Sequence, residues 1–291
     1  MAEKREDSGP KACRRYAPDL LAGKVALVTG GGTGMGKATA LEMARCGAKL
    51  AILGRRKEIL DAAVDELCAE GAEALSISCD IRVPDSIQQA MDAIRARFGR
   101  LDILVNNAGG QFVSPAREIS NKGFEAVIRN NLLGTWYVTK AAADNFFFEQ
   151  GGRVICVTAV TRCGNPGFAH TIAARGGVTA LMKTLAIEWA EYGILINCVA
   201  PGTIKTEAFQ QYPIPEENWH IYTRNLLGRP GSAQEVANAI VFLASPLADF
   251  VTGEDWYIDG GETLHLAHDA REMIDPVRFR ARRPARGLDE L

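Results

Sequence analysis

The chain has 291 residues, 47% of them hydrophobic and 23% charged, with a formal net charge of −2. That is the make-up of an ordinary globular protein, long enough for one large α/β domain or two small ones, and it gives no electrostatic reason to expect nucleic acid as a partner. The seven cysteines are odd in number and scattered without CxxC pairs, which argues against a disulfide framework and against a metal site. No apolar run is long enough to span a bilayer, and the first residues lack the apolar stretch of a signal peptide. The expectation is a cytoplasmic protein with no membrane association.

Residues 1–20 are charged and without periodicity and read as an N-terminal arm. Val25-Ala-Leu-Val then reads as a short buried strand, and Thr29-Gly30-Gly-Gly-Thr33-Gly34-Met35-Gly36 follows it as a glycine-dense turn. Helix-type spacing begins at Lys37 and runs to Arg45. Strand, glycine turn and helix in that order form the context of a dinucleotide motif. Glycine lets the backbone come close to a ligand, and the unpaired N–H groups of a first helical turn favour an anion such as a pyrophosphate.

The alternation continues along the chain. Lys49–Leu53 is a second buried strand ending in Gly54-Arg55-Arg56, and a helix over 57–70 is stopped by Gly71. Ala74–Ser78 is a third strand, and Pro84 opens a helix to about Phe98. Asp102–Val105 is a fourth strand, followed by Asn106-Asn107-Ala108-Gly109, and a single long helix is expected from Asn121 to Phe148. Arg153–Thr158, a long helix from Ala169 to Tyr192, Leu195–Val199, a helix over Ala233–Ala244 and a last strand over Asp255–Ile258 complete the rhythm. Strands alternating with helices predict one doubly wound parallel sheet of Rossmann type, spanning 21–263, with its ligand at the carboxyl ends of the strands. Two segments break the pattern. Residues 203–231 carry Phe209, Tyr212, Trp219 and Tyr222 and read as a lid over an apolar substrate, or as a loop held by its own aromatics. Residues 264–291 form a basic tail rich in arginine, either solvated, in a subunit contact or holding a phosphorylated carrier such as coenzyme A.

The motifs Thr29-Gly-xxx-Gly34-x-Gly36, Asn106-Asn-Ala-Gly109, Asn131-Leu132 and Pro201-Gly202 stand here in an order and spacing that resemble the short-chain dehydrogenase/reductase family. The resemblance implies a one-domain oxidoreductase, commonly a homotetramer, with a nicotinamide cofactor. By that resemblance Gly30, Thr33, Gly34, Met35 and Gly36 hold the pyrophosphate, and Asp80 and Ile81 border the adenine. Asn107, Ala108 and Gly109 border the adjacent ribose, while Pro201, Gly202, Ile204 and Thr206 border the nicotinamide. The second strand decides between cofactors. A carboxylate at its end would accept hydrogen bonds from a ribose 2′-hydroxyl, but Gly54-Arg55-Arg56 offers two guanidiniums suited to a 2′-phosphate, so NADPH is expected.

The catalytic region departs from the family. Where its members carry serine, tyrosine and lysine, this chain aligns Thr158, Thr171 and Arg175, and only Asn131 is retained. A threonine hydroxyl is a far weaker acid than a phenol, and arginine holds a ribose but does not act as an acid near neutrality. The chain is most similar to the peroxisomal-type trans-2-enoyl-CoA reductases and, more distantly, the 2,4-dienoyl-CoA reductases, on Tyr16-Ala-Pro-Asp-Leu-Leu, on Asn106-Asn-Ala-Gly-Gly-Gln-Phe-Val-Ser-Pro115 and on His170-Thr171-Ile-Ala-Ala-Arg175-Gly-Gly-Val178. That resemblance implies reduction of the C=C bond of an unsaturated acyl thioester, where the requirement is stabilisation of an enolate oxygen. The tyrosine proposed as proton donor in the enoyl-CoA reductases falls on Thr179 here, with Lys183 four residues later, and leaves the donor unassigned. His170, beside Thr171, is one candidate, against the alternative of a helix-start histidine with a purely structural role. A carbonyl or alcohol oxidoreductase with an atypical donor and a catalytically silent NADPH-binding protein are the two other readings.

Overall fold

The computed structural model describes residues 16–162, 164–207 and 225–264. Its backbone is a seven-stranded, wholly parallel sheet in the order β3-β2-β1-β4-β5-β6-β9. The strands are β1 (Val25–Thr29), β2 (Lys49–Gly54), β3 (Ala74–Ser78), β4 (Ile103–Asn106), β5 (Gly152–Val157), β6 (Ile194–Pro201) and β9 (Asp255–Ile258). Two short strands, β7 (Ile204–Lys205) and β8 (Gly231–Ser232), pair with each other and so pin together the two ends of the 203–231 segment. The aromatics expected to line a lid, the N-terminal arm before Tyr16 and the basic tail lie outside the described residues.

Helices cover both faces, as a parallel sheet with continuously apolar strands requires. On one side α1 (Gly34–Arg45), α2 (Lys57–Ala69) and α8 (Ala233–Ala244) bury Met43, Leu60, Leu67, Ile240 and Val241 against alternate residues of the central strands. On the other, α3 (Pro84–Phe98), the 121–150 helical run and α7 (Ala169–Glu188) bury Met91, Ile94, Phe147, Val178 and Met182. Local chemistry fixes several boundaries. Pro84 occupies the first turn of α3, and a capping box between Ser232 and Glu235 starts α8.

The expected single helix after β4 is interrupted. It runs as α4 (Asn121–Ile128), a π turn (Arg129–Leu133), α5 (Gly134–Ala142), a second π turn (Ala143–Phe147) and α6 (Phe148–Gln150). Asn131 sits in the first π turn, and its Nδ2 donates to the carbonyl of Val127 at 2.9 Å. A side chain that competes for a carbonyl of the helical ladder favours such a bulge, and hydrophobic periodicity carries no record of it. The predicted helix to Tyr192 likewise closes at Glu188, and its last residues form a separate 3₁₀ turn, Ala190–Tyr192.

Strand order reverses between β1 and β4, and this is where a crevice opens at the carboxyl ends of the strands. One buried hydroxyl holds its two walls. Thr29 Oγ1, at the end of β1, accepts the backbone N–H groups of Asn107 at 3.0 Å and Ala108 at 2.9 Å, and lies 3.3 Å from the carbonyl oxygen of Val105. Thr29→Val keeps the volume but strips two N–H donors of their acceptor, so we expect a loss of about 2 kcal/mol of stability. Urea unfolding of the two proteins measures it, and an unchanged midpoint would show that the turn after β4 is held by other means.

Candidate active site

The glycine loop is shaped by its neighbours. Gly30 and Gly34 have φ of +66° and +54°, the left-handed region that favours glycine. Gly30 N donates to the carbonyl of Leu53 at 2.7 Å, tying the loop to the end of β2. Asn107 Nδ2 donates to the carbonyl of Thr29 at 2.9 Å and lies 3.3 Å from that of Gly30. A Cβ on Gly36 would collide with both the Gly30 carbonyl and Asn107 Nδ2, so loop and turn touch through the one residue that has no side chain. Thr33 precedes α1 without a side-chain cap, which leaves the first-turn N–H groups to an outside acceptor. Met35 packs beneath on the α1 side of the core.

The rest of the expected cofactor surface surrounds this loop. Arg55 and Arg56 are exposed directly beyond β2, and Arg56 leads into α2. Asp80 is ion-paired with Arg82, Nη2 to Oδ2 at 2.5 Å. That hydrogen bonding, with a smaller contribution from Arg55, pulls its carboxyl down to about 2. Ile81 is buried over Gly134, where a Cβ would come within 2.8 Å of its Cδ1. Pro201 ends β6, Gly202 N donates to the Ile258 carbonyl at 3.1 Å, and Ile204 is buried in β7. Thr206 closes the crevice from above, its Cβ 3.7 Å from the position of a Cβ on Gly34. The cradle a Cβ would fill and the uncapped helix fit a dinucleotide pyrophosphate, with two exposed arginines just beyond β2.

Arg175 and Asn131 meet at Gly109. The Arg175 guanidinium is buried, and Nη1 donates to the carbonyl of Val157 at 2.7 Å. Burial pulls its pKa down to about 10, opposed by the neighbouring thiols of Cys156 and Cys198, so it remains a cation at neutral pH. None of the ion pairs among the described residues includes it. Nη2 lies so close to Gly109 that a Cβ there would overlap it, and Asn131 Oδ1 would be 2.5 Å from the same point. Asn131 is further locked by Nδ2 donating to the Gly110 carbonyl at 2.8 Å, while its Oδ1 accepts Gly110 N–H at 3.2 Å.

Thr158 and Thr171 take different partners. Thr158 Oγ1 is 3.2 Å from the carbonyl of Val199 and 3.4 Å from Asp255 Oδ1. Thr179 Oγ1 reaches the other oxygen of that carboxylate, also at 3.4 Å. Burial raises the Asp255 pKa, opposed by Tyr257, Lys183 and the two threonines. Thr171 Oγ1 lies instead 3.2 Å from His170 Nδ1. Sequence reasoning missed Thr29 as the clamp of the crevice and Asp255 as the partner of Thr158. The first had a signal, a hydroxyl residue directly before the glycine loop. The second had none, because β5, α7 and β9 meet there only in the folded chain.

Residues 30–263 match the family model described as Enoyl-(Acyl carrier protein) reductase. The peroxisomal 2,4-dienoyl-CoA reductase of Pongo abelii is 36% identical over 95% of this chain and 96% of its own. The chain belongs to the short-chain dehydrogenase/reductase family. A second relative, a subunit of (2S)-[(R)-hydroxy(phenyl)methyl]succinyl-CoA dehydrogenase from Thauera aromatica, is 36% identical over 83% of this chain and 97% of its own. Among solved structures, the citronellol catabolism dehydrogenase of Pseudomonas aeruginosa superposes with a TM-score of 0.77 at 37% identity, covering 86% of this chain and 98% of that one. Membership makes the chain an oxidoreductase, and the parallel sheet with its glycine loop is the family's scaffold. No helix among the described residues is long and apolar enough to cross a membrane.

Gly36→Ala tests whether the loop-to-turn contact supports the crevice. The added methyl has no space between the Gly30 carbonyl and Asn107. Dinucleotide affinity, followed by fluorescence titration, is expected to drop at least about tenfold, equivalent to about 1.4 kcal/mol. Wild-type affinity would mean that the cofactor does not rest on this loop.

Proposed function

We propose that this protein uses NADPH to reduce the C=C bond of an unsaturated acyl-CoA, of the 2-enoyl or 2,4-dienoyl type. The observation that carries the reading is the buried Arg175 guanidinium, fixed on the Val157 carbonyl and seated against Gly109 and Asn131, in a site that has threonine where the family places its phenolic acid. The dienoyl-CoA reductase relatives, aligned over almost the whole chain, support it.

When bound, the cofactor supplies hydride to the conjugated carbon, the β carbon of a 2-enoyl thioester. The chain's own residues do the rest. The first turn of α1 holds the pyrophosphate, because its N–H groups have no partner inside the helix. Arg55 and Arg56 hold the 2′-phosphate through charge-assisted contacts. Asn107 to Gly109 and Arg175 line the ribose, and Pro201 to Thr206 the nicotinamide side. As the double bond takes up an electron pair, charge moves to the thioester oxygen, and fixed donors stabilise it more than they stabilise the neutral substrate. Arg175 stays protonated and Thr158 and Thr171 are weak acids, so these three supply hydrogen bonds rather than a proton. Such a site suits an enolate, which is protonated later at carbon, better than the more basic alkoxide of ketone reduction, which must take a proton at the oxygen itself to become the alcohol.

Two measurements bear on this. NADPH oxidation with 2-enoyl-CoA, 2,4-dienoyl-CoA and 3-ketoacyl-CoA is expected to be fastest with an unsaturated substrate, and Arg175→Met to lower that rate about 100-fold. Turnover of the ketone alone would overturn the reading. Arg55→Ala combined with Arg56→Ala is expected to raise KM for NADPH about 10- to 100-fold and leave NADH unaffected. Equal losses for both cofactors would place the 2′-phosphate elsewhere.

A further inference from the structure

The ends of β2 and β3 lie side by side. Gly54 faces Ser78 in the parallel register, and the N–H of Cys79 donates to the carbonyl of Gly54 at 2.8 Å. Asp80, which follows β3, therefore stands beside Arg55 and Arg56, which follow β2. Both arginines are exposed, and among the described residues neither enters an ion pair. Lys57, next along the chain, is taken up by Asp61.

Asp80 places a carboxylate on this otherwise cationic surface, and Arg82 wraps it. The backbone N–H of Arg82 donates to Oδ1 at 3.0 Å. Its Nε donates to Oδ1 at 2.9 Å and lies 3.1 Å from Oδ2, which also accepts Nη2 at 2.5 Å. One residue thus engages both oxygens, in the fork geometry that makes guanidinium–carboxylate pairs strong. The Arg82 hydrogen bonds are the main reason the Asp80 carboxyl sits at about 2, and the pairing raises Arg82 in turn. Arg55 acts on the same carboxylate more weakly, through space. It is near enough to feel Asp80 and is not bound to it.

This matters for a phosphorylated cofactor. An acidic residue at the end of β2 suits a ribose 2′-hydroxyl and repels a 2′-phosphate. A bare carboxylate at the end of β3, beside Arg55, would have the same effect from the neighbouring strand. It would also draw the Arg55 guanidinium into an ion pair and away from the phosphate. With Arg82 in place, the strand ends carry three guanidiniums against that one carboxylate, and Arg55 stays available.

We propose that Arg82 is a specificity-determining residue for the phosphorylated cofactor, which by occupying Asp80 keeps that carboxylate from repelling the 2′-phosphate and from capturing Arg55. It acts through Asp80 and Arg55 and is in that sense a positioning residue. The inference rests on the NADPH reading above.

Dissociation constants for NADPH and NADH, measured by fluorescence titration of the full chain, test it. The readout is the ratio of the two, since damage to folding or to an adenine contact weakens both cofactors alike. Arg82→Ala is expected to reduce the preference for NADPH about 3- to 10-fold with NADH little changed, the size suited to one charge near a phosphate at a partly exposed surface. Arg82→Lys keeps the charge and is expected to keep most of the preference. Asp80→Asn combined with Arg82→Ala is expected to restore it, because the charge that needed cover is gone. A ratio unchanged by Arg82→Ala would overturn the proposal, as would a lysine variant no better than the alanine one. A double variant as poor as Arg82→Ala alone would also overturn it, and would mean that Arg82 meets the phosphate itself. If the unaltered protein binds both cofactors equally, the NADPH reading falls and this inference with it; if it prefers NADPH and Arg82→Ala keeps the ratio, only this inference falls.

Discussion

The crevice depends on one hydroxyl group. Thr29 Oγ1 lies at the end of a strand buried on both faces, where water cannot satisfy the backbone groups around it. By accepting two N–H groups of the turn after β4, it makes the ends of two neighbouring strands into one rigid surface. Asn107 then turns its side chain back onto the glycine loop, and Gly36 admits it. Each step uses the cost of a buried unpaired polar group to hold the next. The same logic extends to the far side of the crevice, where Arg175 is held by the Val157 carbonyl and presses on Gly109, and Asn131 closes on Gly110.

What this scaffold presents is a set of hydrogen-bond donors rather than an acid. The cation of Arg175 survives burial because a guanidinium holds its proton far above neutrality even when desolvated. A phenol lowered by a neighbouring lysine would transfer a proton; a threonine and an arginine cannot. The proposed reaction, in which charge is stabilised at an oxygen and the proton arrives later at carbon, asks of the site only such donors.

Much of this was legible from the residues alone. The strand and helix order, the glycine loop on α1 and the turn after β4 follow from runs of apolar residues and from glycine at particular places, and these are local signals. The π turns in the 121–150 run were not legible, because a side chain competing for a ladder carbonyl leaves the hydrophobic period unchanged. Nor was the pairing of Ile204–Lys205 with Gly231–Ser232, two-residue strands without a pattern of their own.

The division between sequence and structure is therefore one of range. The sequence by itself determined the parallel sheet, the glycine loop before α1, the two arginines beyond β2 and the replacement of the family's tyrosine and lysine by Thr171 and Arg175. All of these are fixed by residue identity and spacing along the chain. Only the tertiary structure decided that Thr29 clamps the crevice, that Thr158 turns to Asp255, and that His170 is buried at the start of α7. Those outcomes depend on which polar groups lose water together when distant segments pack, and no local pattern records them.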